Sequence, residues 1–99
     1  FGYPTQETVA KELFADPEGA KDAVFASGLT ESSVSAILDQ LITDPDATVD
    51  GVNRSMSEST VYVTAHHEKG GEIVYEVSMV RDMLGWKVSN AKVYNASQN

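Results

Sequence analysis

Two adjacent histidines, His66 and His67, stand beside Glu68 in the segment VTAHHEKGGEIVYEV. Imidazoles next to carboxylates are the raw material of metal ligation and acid–base chemistry. A metal site needs two or three further ligands. Glu68, Glu72 and Glu76 are the nearest, yet no recognised ligand spacing joins them to the histidines. If the segment is a strand, neighbouring side chains point to opposite faces and do not converge on one ion. His66 then shares a face with Tyr62 and Thr64, while His67 continues the row of Val61, Val63 and Ala65. The pair reads as the end of a strand at a hairpin, with no metal.

The segment DPDATVDG raises the same question for calcium. Asp46, Thr48, Asp50 and Gly51 fit the opening of a calcium loop, but its twelfth position is Ser57, where a bidentate Glu is needed. An acidic turn leading into a strand explains the string better. No G-x-S-x-G elbow and no phosphate-binding G-x-x-x-x-G-K-[ST] loop is present. The chain has no cysteine, which excludes disulfides and thiolate chemistry. Asn53 and Asn95 each stand in an Asn-x-Ser string, which matters only in a secreting eukaryote.

These residues need elements to position them. Thr5 is placed to cap a helix carrying Val9, Ala10, Leu13 and Phe14 at helical spacing. Asp16 and Pro17 supply a second start, with Ala20, Ala23 and Val24 following and Gly28 as the C-terminal glycine. Gly19 weakens this helix by up to ~1 kcal/mol relative to alanine. A third helix starts at Thr30; Val34, Ile37, Leu38, Leu41 and Ile42 form its apolar stripe, and Asp44 before Pro45 ends it. The period then changes from helical to alternating. Strands are expected at Ala47–Ser55, Thr60–His67, Glu72–Arg81 and Trp86–Tyr94, broken at MSES, EKGG and DMLG. Gly70 and Gly71 suit a tight turn. Trp86 and Val88 fall out of phase with Ala91 and Val93, so a bulge is expected near Ser89–Asn90.

Helices over about 5–43 followed by a sheet over about 47–95 make one α+β domain, its helices packed on a curled, four-stranded antiparallel meander. The sheet rows are expected to cover the stripe of the third helix. With 41% hydrophobic and 22% charged residues in 99, the composition is that of an ordinary globular domain. The charge is lopsided: residues 1–50 hold ten carboxylates against Lys11 and Lys21, a net of −8, and the rest is neutral. An acidic half repels nucleic acid and anionic membranes. No apolar run approaches the ~18 residues that span a bilayer.

The order of elements, with Gly85, Trp86, Lys87 and Val88 opening the last strand, resembles the cystatin-like/NTF2-like superfamily, above all its small exported bacterial domains. The resemblance implies a Trp86 packed on the helices and a bacterial, extracellular or envelope location, with any signal or anchor upstream of Phe1. Enzymes of that group place an Asp, His or Tyr in a cup between helices and sheet, a place that Tyr75 would take here. The Gln-x-Val-x-Gly loop of inhibitory cystatins has no counterpart; the nearest string is TVDGV at 48–52.

Three functions are consistent with these residues. The first is a non-catalytic interaction or ligand-binding module, with no cofactor. It would meet a protein partner or a second copy through the outer sheet face, where Tyr62, Val74 and Val80 project. The second is a small enzyme or small-molecule binder using Tyr75 in an open cup. The third is an acidic inhibitor or immunity-type protein with a basic partner. A core tyrosine with a bonded hydroxyl is the plainer account of Tyr75.

Overall fold

Capping side chains start all three helices found among the described residues. The computed structural model describes residues 5–82 and 85–94. Met83 and Leu84 of the DMLG break, and the Asn-x-Ser string at Asn95, lie outside the described residues. Helix α1 is Gln6–Ala15, and the hydroxyl of its N-cap Thr5 accepts the Thr8 N–H at 3.2 Å. Asp16 serves two helices: its N–H closes α1 onto the Glu12 carbonyl, and its carboxylate accepts the Gly19 N–H at 3.1 Å to open α2, Pro17–Val24. Thr30 caps α3, Glu31–Gln40, through the Ser33 N–H.

Two helices stop earlier than their sequence pattern suggests. α2 ends at Val24 rather than near Gly28, because Phe25 turns extended and forms a parallel bridge to Val88. The Ala26 N–H donates to the Val88 carbonyl at 2.8 Å, so this short segment covers part of the outer edge of the sheet. α3 ends at Gln40, and Leu41 is extended (ψ 144°). Leu41 and Ile42 are therefore connector residues packed against the core, not helical ones.

The sheet is an open antiparallel meander in the order β1-β2-β3-β4: β1 is Thr48–Arg54, β2 Glu58–His66, β3 Glu72–Asp82 and β4 Gly85–Val93. Both edge strands are bulged. In β4 the register passes from Ser78↔Asn90 to Met79↔Val88, which leaves Ser89 unpaired as the alternation of the sequence requires. In β1 Asp50 is the extra residue, between Val49↔Val63 and Gly51↔Tyr62. Gly70 and Gly71, at φ 95° and 91°, turn β2 into β3.

One face of the sheet is buried. Val61, Val63, Ala65, Tyr75, Val77, Met79, Val88 and Ala91 are each at most 1% exposed. The helix that seals them is α1, not α3: Val9, Ala10, Leu13 and Phe14 are at most 4% exposed, and α1 packs on β1, β2 and β4. On α3 only Ile37 is buried, while Val34 and Leu38 stay partly exposed. The stripe expected to dominate the core is thus half-used. Trp86 packs half-buried against the core with the Arg81 guanidinium 5.8 Å from its ring, and Lys87 Nζ donates to the Ala23 carbonyl at the end of α2.

Gly19 has a use that helix propensity hides. A Cβ at this position would lie 2.8 Å from Asp16 Cγ, inside the capping carboxylate. Gly19→Ala is expected to forfeit the usual gain of ~1 kcal/mol, because the displaced cap costs about as much. Thermal melting should show no rise in Tm; a rise of several degrees would mean that the cap tolerates the methyl group.

Candidate functional site

Strand parity sorts the sequence-selected residues onto two faces. Tyr62, Val74 and Val80 lie on the outer face, which no helix among the described residues covers, and all three are partly buried. Tyr75 lies on the inner face and is 0% exposed.

The outer-face residues do not form one patch. Tyr62 stands across from Glu76, and Val74 from Thr64. Val80 is at the far end of β3 between Glu58 and Lys87, with Ser78 and Glu76 intervening. What joins Tyr62 and Val74 is Tyr94. Its N–H donates to the Val74 carbonyl at 2.8 Å, and its ring meets that of Tyr62 edge-on, centroids 5.1 Å apart. The signal for Tyr94 lay in carrying the alternation through the bulge: once Ser89 is skipped, Ala91 faces inward and Tyr94 outward. Tyr62 Oη donates to Glu76 Oε2 at 3.4 Å, and Lys92 Nζ lies 3.7 Å from the other carboxylate oxygen. Desolvation first, and then the negative charge of Glu76, push the Tyr62 hydroxyl above its ordinary pKa of 10.0, so it remains a donor at neutral pH.

Tyr75 is a strut. Its ring packs 5.1 Å from that of Phe14, and its hydroxyl donates to the Gln40 carbonyl at 2.7 Å. That carbonyl belongs to the last turn of α3, where no intrahelical partner exists. Burial pushes the Tyr75 hydroxyl above its usual pKa. The space between helices and sheet is filled by Tyr75, Phe14, Leu13, Met79 and the valines around them, all at most 1% exposed.

The histidines part company. His66 ends β2, and His67 lies in the turn, its N–H donating to the Gly71 carbonyl. His67 is exposed and does not extend the core row, because the chain leaves the sheet before it. His66 has a partner that the sequence did not reveal. Asp44 Oδ2 accepts the His66 backbone N–H at 2.8 Å and lies 2.9 Å from Nδ1, while Glu72 Oε2 lies 3.4 Å from Nε2. Asp44, read from sequence as a helix stop, has no local signal for a contact 22 residues away. Asp46 donates its N–H to Asp44, Asp50 takes the Thr64 hydroxyl, and Thr48 opens β1, so the supposed calcium loop is a turn entering a strand. Among the described residues no three His, Asp or Glu side chains are placed to hold a metal ion.

The ring of His66 and the backbone N–H groups of His66 and Asp46 hold the Asp44 carboxyl below its ordinary 3.8. Asp44, then the charge of Glu72, raise His66 above 6.5. A raised histidine contributes fully below pH 6.5 and loses its contribution as pH rises through its folded pKa. A lowered aspartate contributes fully above pH 3.8 and loses its contribution as pH falls through its own. The pair therefore stabilises most between those values. No family model, curated protein or solved structure was found to match the chain.

Two outcomes follow from this geometry. The wild-type Tm should drop relative to that of His66→Gln as pH rises from about 5 to about 8.5, and the two melting curves should run parallel if the Asp44 contact is idle. Tyr75→Phe should cost about 1 kcal/mol in urea unfolding, since it removes the bond to the Gln40 carbonyl, with the far-UV spectrum unchanged.

Proposed function

We propose that the chain is a non-catalytic interaction module that meets a protein partner or a second copy through its outer sheet face. The observation that carries this reading is the Tyr62–Tyr94 aromatic pair, with Val74 tied to Tyr94 through the backbone, on a face that no helix among the described residues covers and with Tyr94 50% exposed. Tyrosines with an apolar ring and a bonded hydroxyl are the side chains that anchor interfaces, because they bury area at low entropic cost. Glu76 and Lys92, placed beside the rings, supply a polar rim that fixes orientation.

The filled interior supports the same choice. A small-molecule site needs a concave cavity with converging polar groups, and here Tyr75 occupies that space with its proton committed to Gln40. The helices-then-meander order agrees with the cystatin-like/NTF2-like resemblance, and with it we propose an exported bacterial setting. The resemblance brings no activity to these residues.

Light scattering over a concentration series tests the reading in its simplest form. A dimer is expected, and Tyr62→Glu or Val74→Glu should weaken it at least tenfold, about 1.4 kcal/mol. Val80→Glu, outside the cluster, should leave it intact. A monomer at every concentration would remove self-association, and equal effects of all three variants would remove the cluster as its centre.

A further inference from the structure

On the opposite side of the molecule, α2, α3 and the segment between them line a cleft of about 560 Å³. Its lining is mixed, with Phe25, Leu29, Val34 and Leu38 supplying the apolar part and Phe25 largely buried behind it. Val34 and Leu38 are the part of the α3 stripe that the protein's own core leaves partly exposed. Glu18, Asp22 and Glu31 also line it, against a single cation, Lys21, which sits 3.6 Å from Glu18. The cleft thus joins the partly exposed side of an apolar stripe to an excess of negative charge. We propose that it docks a cationic amphipathic helix of a protein partner.

Charge selects the class of occupant. Around the cleft Glu18, Asp22 and Glu31 stand against Lys21, paired with Glu18 at 3.6 Å, and Lys87, whose Nζ donates to the Ala23 carbonyl. Such a surface repels nucleic acid, anionic lipid and another copy of itself, and it attracts lysine and arginine. The apolar lining then requires hydrophobic anchors on the same ligand. A helix meets both demands, with apolar residues at i, i+3, i+4 and i+7 facing the cleft and cations flanking them. An added strand does not, since the neighbouring edge of β4 is already met by Phe25 and Ala26. The volume lies within the ~300–1,000 Å³ of ordinary binding clefts, room for a few anchor side chains.

The probe is a labelled synthetic helical peptide of about 15 residues, with leucine at i, i+3, i+4 and i+7 and lysine on the remaining face. Fluorescence anisotropy with the whole domain should give saturable one-to-one binding. Glu31→Lys and Asp22→Lys, both at exposed positions, should each weaken it several-fold, and raising the salt should weaken it further. Amide shifts should map to Leu29, Val34 and Leu38. Three results would overturn the proposal: no saturable binding, equal binding of a peptide with serine in place of leucine, or shifts centred on Tyr62 and Tyr94. Thermal melting of each lysine variant separates lost binding from lost folding.

Discussion

Asp44 holds the two halves of the molecule together. Its N–H donates to the Phe14 carbonyl near the end of α1 at 2.8 Å, and its own carbonyl accepts the Ala47 N–H. Its carboxylate takes the N–H groups of Asp46 and His66 and faces the His66 ring. One residue, 8% exposed, therefore ties the helical layer, the turn into β1 and the end of β2. It stands where the chain passes from helices to strands, beyond the Thr48↔Thr64 pair with which the β1–β2 ladder begins. The carboxylate gives the His66 N–H a partner there, a group that is costly to leave unmade when shielded from water.

Tyr75 imposes the second constraint. A ring of that size on the inner face, packed on Phe14, determines how closely α1 approaches the sheet, and its hydroxyl finishes α3. A tyrosine in a cup serves chemistry only if the cup stays open. Here three short helices supply too little span to hold one open, and the valines of β2 and β3 close in around the ring. That packing is why the proposed interaction surfaces lie outside the core.

The sequence disclosed those features that depend on neighbours along the chain. Thr5, Asp16 and Thr30 cap helices because a hydroxyl or carboxylate reaches an N–H three residues ahead. The Ser89 bulge was legible because a broken alternation has no other regular solution. Long-range choices were not legible. α3 has the clearer apolar stripe, yet α1 took the sheet, since burial is decided by which helix the connections lay across the strands. Phe25 left its helix for Val88, and Asp44 found His66, through contacts that no local pattern encodes. Tyr94 sits between these cases, since its face follows from parity once the bulge is placed, while its contact with Tyr62 depends on the pairing of three strands.

The handling of the sheet edges bears on how the molecule meets others. An edge strand offers unpaired backbone groups to any passing strand, and folded proteins blunt such edges. β1 is interrupted by the Asp50 bulge, and β4 by the Ser89 bulge and by the bridge from Phe25. Both edges are thus poor templates for strand addition. The two faces differ in kind: the outer sheet face joins aromatic rings to a Glu76–Lys92 pair of balanced charge, while the helical face joins aliphatic side chains to an excess of carboxylates. If both proposed surfaces bind, their difference in charge would select different partners, and lying on opposite sides of the sheet they would leave room for both at once.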